Sequence, residues 1–166
     1  MQNMMSLMEA MIEFDQGDPK LIHHFLKVYE LARTIGHGEN LSEDEQFTLE
    51  SAALVHDIGI HEAMQKFGSG RGKYQEIVGS DAARKLLTSL AWPLEVTERV
   101  AFLVGHHHTY SDIDRMDYRI LVEADFLVNL FEGQASPAAC REAYDNIFRT
   151  ETGKRLFAWM VPLEAE

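Results

Sequence analysis

Cysteine and basic residues are scarce in this chain, and each shortage excludes or disfavours a class of structure or function. The 166 residues include one cysteine, Cys140, which excludes an internal disulfide and is compatible with a reducing cytoplasm. We interpret Cys140 as a small buried side chain. Lys and Arg number 15 against 27 Asp and Glu, which gives a formal charge of -12. A general nucleic-acid binder needs a basic face that displaces counterions, so the composition argues against that class.

Long apolar runs and a secretion signal are also missing. No apolar stretch approaches the ~20 residues that a membrane-spanning helix needs. The first residues carry no basic segment, and Glu9, Glu13 and Asp15 soon interrupt the apolar pattern. We therefore expect a protein that does not enter a membrane and whose simplest location is the cytoplasm.

What the chain does contain is an almost continuous helical pattern of apolar residues. Met4, Leu7, Met8 and Met11, for example, recur at spacings of three and four. We find no alternating strand pattern of useful length, and the chain length suits one domain with one core. The sequence therefore predicts an all-α fold, a single-domain helical bundle of about seven to nine helices.

Local signals mark the boundaries of the predicted helices. Pro19 suits the first turn of a helix after Gly17, and Ser42 to Glu45 has the form of a capping box. Ser136-Pro137 starts a further helix by the same logic. Other predicted helices cover residues 61–67, 76–90, 96–104, 118–131 and 151–160. Residues 68–73 and 109–117 are predicted loops.

The dipeptide His56-Asp57 is the first indication of chemistry. It stands where the apolar run 52–55 ends, shortly before Gly59. Burying an imidazole and a carboxylate is costly unless a partner satisfies them. A divalent metal ion would satisfy both groups, since both are good ligands for transition metals. The dipeptide alone is a weak signal, so the rest of the chain decides its meaning.

Two further residues follow the same logic. His24 shares a helix face with Val28 and Leu31, which places its imidazole on an inward stripe. Asp125 lies inside the apolar run 120–128, where a carboxylate is destabilised unless it is paired or metal-bound. Taken singly, His24 also fits a hydrogen-bonded core histidine, and Asp125 also fits a carboxylate paired with an arginine.

Taken together, these residues resemble the HD-domain superfamily of metal-dependent phosphohydrolases. The order His24, His56-Asp57, Asp125 on separate helices is similar to the family pattern, and Val28 follows the first histidine by four residues, as in the family. The similarity covers about residues 20–132. The resemblance implies an all-helical HD-type fold with His24, His56, Asp57 and Asp125 as ligands of one divalent ion. We expect residues 1–166 to form one domain, with the N-terminal helix and the C-terminal helices packed on this core.

This implied ligand set also suggests a catalytic role. A six-coordinate ion with two imidazole and two carboxylate ligands keeps two open positions, one for water and one for a phosphoryl oxygen. Asp57 is expected to be catalytic as well as a ligand of this ion. The mixture of nitrogen and oxygen ligands favours Mn, Fe, Co or Ni over structural zinc. The choice among these metals stays open.

Three consecutive histidines, His106, His107 and His108, follow the helix predicted at 96–104. Many family members carry a His-His pair there, which binds a second metal or stabilises the transferred phosphate. We assign this role to His106 and His107, with His107 and His108 as the alternative register. The other interpretation is an exposed helix end whose histidines face the negative end of the dipole.

The chain departs from the family where a second metal would bind. Binuclear members usually have a histidine four residues before the glycine that corresponds to Gly79, and here that residue is Gln75. Glutamine is a poor metal ligand, so a second metal is doubtful unless Glu76 substitutes for the histidine. A second interpretation of the family resemblance, a di-iron oxygenase, requires two irons and is weakened by the same residue.

A second departure removes a phosphate contact. Ile60 stands where members with a longer motif carry a lysine. Lys27, Arg71 and Lys73 are candidates, by position, to supply the missing cation. The Gly-Tyr-Pro element of the cyclic-dinucleotide phosphodiesterases does not follow His108, which argues against that branch.

The resemblance therefore implies a metal-dependent phosphohydrolase that cleaves a small phosphate ester, with a nucleotide or a related metabolite as the leading example. Alternatives are a di-iron oxygenase and a non-catalytic ligand-binding HD module. A small phosphorylated substrate is the expected partner. A homodimer is a further expectation, because exposed Met and Phe stripes would otherwise be a liability.

Overall fold

The computed structural model describes residues 3–163, and this part of the chain contains nine α-helices and no strand. The prediction of an all-α fold is therefore confirmed. In chain order the helices are α1 (Met4–Phe14), α2 (Pro19–Gly38), α3 (Glu43–Val55), α4 (Ile60–Phe67), α5 (Gly72–Ser89), α6 (Leu94–Val104), α7 (Met116–Glu132), α8 (Pro137–Asn146) and α9 (Glu151–Met160).

Side-chain caps start several of these helices where the sequence predicts them. The Ser42 hydroxyl accepts a hydrogen bond from the Glu45 backbone N–H, and the Glu45 carboxylate accepts one from the Ser42 N–H. This is the reciprocal pair of a capping box. Asp18 caps α2 by accepting from the Leu21 N–H, and Pro19 occupies its first turn.

Helix α5 begins earlier than the sequence pattern indicates. The predicted loop over residues 68–73 is wrong at its end, because α5 starts at Gly72 rather than near Glu76. Arg71 is the extended N-cap residue, and its carbonyl accepts from the N–H groups of Tyr74 and Gln75. A Cβ on Gly72 would come within 2.5 Å of the His108 ring, so the glycine lets that ring approach the first turn.

The hydrophobic core lies mainly among α2, α3, α6 and α7. Fully buried side chains on these helices include Phe25, Leu54, Leu103 and Ile120. Helix α1 packs on α3, and α9 contacts α2 and α7. Cys140 is buried, as predicted. Within residues 3–163, no helix combines the length and apolar character required to span a bilayer.

Two glycines bring the turn after α3 against α5. A Cβ on Gly59 would lie 2.8 Å from the Gln75 carbonyl oxygen and 2.9 Å from the Gly79 Cα. A Cβ on Gly79 would in turn lie 2.9 Å from a methyl group of Val104 at the end of α6. Only glycine permits these two backbones to pass so closely. The crossing places the His56-Asp57 turn beside the ends of α5 and α6.

Candidate metal centre

The four residues predicted as metal ligands converge from three parts of the fold. His24 comes from α2, His56 and Asp57 from the turn that ends α3, and Asp125 from α7. The His24 Nε2 lies 3.1 Å from the His56 Nε2, 3.1 Å from the Asp125 Oδ1 and 3.3 Å from the Asp57 Oδ2. The His56 Nε2 lies 3.4 Å from the Asp57 Oδ2 and 3.6 Å from the Asp125 Oδ1.

Both imidazole rings are held by hydrogen bonds at Nδ1, on the side of the ring that faces away from the cluster. The His56 Nδ1–H donates to the Ala53 carbonyl at 2.8 Å, and the His24 Nδ1–H donates to the Glu132 carboxylate at 2.9 Å. In the neutral rings, each Nε2 therefore presents a lone pair to the other. Facing lone pairs repel unless a proton or a cation lies between them. This arrangement fits a metal ion.

The charges in the cluster resist the effect of burial. Burial favours the neutral carboxyl, but hydrogen bonds and charge from the imidazoles outweigh it and hold the pKa of Asp57 and Asp125 below the ordinary value. Burial also favours the neutral imidazole, but the two carboxylates raise the pKa of His24 and His56 above the ordinary value. The pocket is thus an environment that attracts positive charge.

The histidine triplet contributes a different pair from the one assigned by sequence. The His106 Nδ1–H donates to the Phe102 carbonyl at 2.7 Å, and the exposed ring stacks on the Phe102 ring, away from the cluster. His107 is fully buried instead, with its Nε2 3.4 Å from the Asp57 Oδ1. The structure therefore places His107 and His108, the alternative register, at the cluster, and it places His106 away from it because the turn that ends α6 directs the first ring outward.

A second group of possible ligands shares Asp57 with the first. One donor atom each from Asp57, His107 and His108 lies within 4.8 Å of the others. The His107 Nδ1–H donates to the Val104 carbonyl at 2.9 Å, while the Nε2 is buried and has no hydrogen-bond partner among residues 3–163. Because the Nδ1 carries the proton of the neutral ring, the Nε2 lone pair faces the Asp57 carboxylate at 3.4 Å, and a proton or a cation would satisfy both groups.

Gln75 and Glu76 hydrogen-bond to His108, and neither belongs to this second group of possible ligands. The Gln75 side-chain amide donates to the Gly70 carbonyl, so its oxygen accepts from the His108 Nε2 at 3.3 Å. Burial, followed by the charge on His107, lowers the pKa of His108 to about 4. Glu76 accepts from the His108 backbone N–H at 3.0 Å, which commits that carboxylate to the loop rather than to replacing the missing histidine.

A cavity of about 210 Å³ opens onto the cluster. Its lining residues are Lys20, Leu21, His24, Asp57, Ile60, Gln75, His108, Asp125, Asn129 and Glu132.

The three cations proposed from sequence do not line this cavity. The Lys27 Nζ is 2.6 Å from the Glu132 Oε1, which holds it at the end of α7. Arg71 is the N-cap residue of α5, and the Lys73 ammonium lies over the Tyr74 ring. Helical position alone did not show these competing partners, so the assignment of Lys27, Arg71 and Lys73 to substrate contacts is not supported by their placement.

Sequence reasoning missed three residues that surround the cluster. The Asn129 amide donates to the Asp125 Oδ1 at 2.8 Å, and Glu132 holds His24. Lys20 lines the cavity. Asn129 follows Asp125 by four residues and Lys20 precedes His24 by four, so the same-face spacing of a helix was the available signal.

Comparisons with known proteins agree with this geometry. The model of the HD domain family matches residues 21–144, a range that includes all four converging residues. A crystal structure of a predicted HD superfamily hydrolase from an uncultured Thermotogales bacterium has a similar fold, with a TM-score of 0.65 and 24% identity over 95% of this chain and 82% of that chain. No curated protein matches the chain.

Proposed function

The chain belongs to the HD domain family, and on that premise we propose that it is a metal-dependent phosphohydrolase. The proposed reaction is hydrolysis of a small phosphate ester, with nucleotides and related metabolites as the expected substrates. One observation carries the proposal: two imidazoles and two carboxylates converge beside a cavity, with facing lone pairs that a cation would satisfy.

His24, His56, Asp57 and Asp125 are the residues that would hold the ion, and HD domains bind divalent metals. Bound there, a divalent ion supplies Lewis acidity toward a phosphoryl oxygen and a water of lowered pKa. The donor set of nitrogen and oxygen atoms suits Mn, Fe, Co or Ni. The identity of the metal is part of the proposal.

The surrounding residues orient these donors. Glu132 accepts from the His24 Nδ1–H and thereby keeps the Nε2 free of its proton in the neutral ring. Asn129 donates to the Asp125 Oδ1 and fixes the rotation of that carboxylate. Held in this way, the donors lose little conformational entropy when a ligand binds, and the substrate meets a site that is already formed.

His107 and His108 face the same space from the other side of Asp57. The neutral His107 offers its Nε2 lone pair to a cation, and the protonated ring offers an N–H to an oxyanion. His108 is neutral above about pH 4 and retains its hydrogen bond to Gln75. We propose that this pair stabilises negative charge that develops on the phosphoryl group.

Metal analysis and a phosphate-ester screen test the proposal directly. Protein purified without added metal should contain a divalent transition metal, and it should hydrolyse p-nitrophenyl phosphate or members of a nucleotide and sugar-phosphate panel. Asp57→Ala should lose both metal and activity with its helical circular dichroism intact. Asp145→Ala, which changes an exposed aspartate on α8, is the matched control. Retained turnover in Asp57→Ala would overturn the proposed mechanism.

The same measurements separate the alternatives. Two irons per chain together with substrate-dependent oxygen consumption would favour a di-iron oxygenase. Bound metal without turnover on the whole ester panel would favour a non-catalytic module.

A further inference from the structure

We propose that Lys20 binds the phosphoryl oxygens of the substrate and makes the site selective for dianionic phosphate monoesters over diesters. This inference rests on the proposed phosphohydrolase function and assigns a substrate class to the same cavity.

Lys20 stands at the cavity by helix geometry. It lies in the first turn of α2, four residues before His24, and both side chains line the cavity. Residues four apart share a helix face, so the ammonium group and the His24 imidazole are presented on the same side of α2. Asp18, the nearby N-cap residue, already accepts from the Leu21 N–H at 3.1 Å.

The charge pattern leaves Lys20 available for an anion. Glu132 is already paired with Lys27 and with His24. Among residues 3–163, Lys20 has no carboxylate within ion-pair distance, and no other lysine or arginine lines the cavity. An incoming phosphate is therefore the partner that this ammonium group meets, while Asp57 and Asp125 face the proposed ion.

The two amides that line the cavity are uncharged, and each already donates a hydrogen bond within the protein. The Gln75 amide donates to the Gly70 carbonyl, and the Asn129 amide donates to Asp125. Leu21 and Ile60 offer no donor. Lys20 is thus the main source of positive hydrogen-bond donors for phosphoryl oxygens that do not contact the ion.

Both charge and volume favour a monoester. A monoester dianion carries twice the charge of a diester, so its Coulomb attraction to one ammonium group at the same distance is about twice as large. The cavity volume of about 210 Å³ lies below the range of roughly 300–1,000 Å³ that is usual for complete small-molecule ligands. Such a cavity suits a terminal phosphate whose single organic substituent extends outward.

Binding of inorganic phosphate tests the assignment without turnover. Calorimetric titration of the metal-loaded protein should give a Kd about tenfold weaker in Lys20→Gln than in the wild type, since loss of one hydrogen bond between charged groups has an effect of this order. Metal content should not change. Lys20→Arg should retain most of the affinity, and Lys85→Gln, an exposed lysine of α5, should match the wild type. Equal phosphate affinity in Lys20→Gln and the wild type would overturn the proposal.

Turnover tests the selectivity separately. For p-nitrophenyl phosphate, Lys20→Gln should raise KM by about tenfold, whereas for bis(p-nitrophenyl) phosphate the change should be about threefold or less. The double variant Lys20→Gln with Ile60→Lys returns a cation to the same cavity and should recover part of the phosphate affinity. An unchanged monoester-to-diester ratio in Lys20→Gln would reject the selectivity. If the wild type hydrolyses no ester, the proposed function fails, while the phosphate titration still decides whether Lys20 binds the anion.

Discussion

The Nε2 atoms of His24 and His56 lie 3.1 Å apart, although each ring has committed its Nδ1–H to a hydrogen bond on its far side. Two neutral imidazoles do not stabilise such an approach by themselves. The Asp57 and Asp125 carboxylates close the same space. The relationship therefore fits a cation site, and residues outside the cluster orient its histidines.

Removing the carboxylate that orients His24 should weaken metal binding. Glu132→Ala leaves the His24 Nδ1–H without its acceptor at 2.9 Å, and we expect metal affinity to fall by about 10- to 100-fold. Glu132→Gln should lose less, because the amide oxygen can still accept the hydrogen bond. Competition with a chromophoric chelator measures the affinity. Glu142→Ala, at an exposed position of α8, is the control, and equal affinities in Glu132→Ala and this control would contradict the prediction.

Substitutions of His107 and His106 should have very different effects on activity. His107→Ala removes the buried ring whose Nε2 lies 3.4 Å from Asp57, so kcat/KM should fall by about 100-fold. His106→Ala removes an exposed ring that stacks on Phe102, and the change should stay within about twofold. Steady-state assays of both variants on one ester make the comparison. Similar losses in the two variants would show that the pair is not His107 and His108.

Glu123 on α7 should control the attachment of α9. Its buried carboxylate accepts from the backbone N–H groups of Arg149 and Thr150 and from the Thr150 hydroxyl. Glu123→Ala leaves these buried donors without an acceptor and should lower the free energy of unfolding by about 3 kcal/mol. Urea denaturation followed by circular dichroism measures this change. A loss below about 0.5 kcal/mol would show that other contacts hold α9.

The same carboxyl should give stability a specific pH dependence. Burial raises the pKa of Glu123 above its ordinary value of 4.5, despite the hydrogen bonds that favour the charged form. The unfolded chain therefore loses this proton at a lower pH than the folded chain. The contribution of Glu123 to stability is present below the ordinary pKa and is lost as pH rises through the folded pKa. Relative to the wild type, Glu123→Gln should therefore gain stability as the pH rises from 4 to 7. A difference in unfolding free energy that does not change with pH would contradict this.

A methyl group at the glycine crossing should disturb both fold and site. Gly59→Ala brings a Cβ within 2.8 Å of the Gln75 carbonyl, and backbone atoms on both sides leave little room to adjust. We expect a loss of about 1–3 kcal/mol in unfolding free energy, with reduced metal affinity because Asp57 lies two residues earlier. Gly70→Ala, where the nearest atoms are 3.6 Å away, should cost less and serves as the comparison. Equal stabilities in the two variants would show that the crossing can relax.

The sequence predicted those features that depend on local pattern. The capping box at Ser42 and the inward placement of His24 and Asp125 follow from side-chain chemistry and helical spacing, and the structure contains each of them. Family resemblance connected His56-Asp57 with the other two residues across the chain. The structure places all four together.

Where the structure differs from the sequence-based assignment, the cause is a contact that the local sequence pattern does not show. Lys27 was a reasonable phosphate contact by position, but it pairs with Glu132, which is more than a hundred residues away. The family's His-His pair predicts His106 and His107 at the site, and the turn after α6 has no periodicity that would show in which direction each ring points. The His106 Nδ1–H bond to the Phe102 carbonyl directs that ring outward.

Asp57 divides its two oxygens between two neighbourhoods, with Oδ2 toward His24 and His56 and Oδ1 toward His107. A positive charge bound beside Oδ2 must therefore reduce the negative charge that Oδ1 presents to a group near His107. Binding of a metal ion beside Oδ2 and binding of a phosphoryl group beside His107 should therefore be energetically linked, and the linkage is reciprocal by thermodynamic necessity. Titrations of the protein with metal and with phosphate should accordingly be described by one cooperative binding scheme rather than by two independent constants.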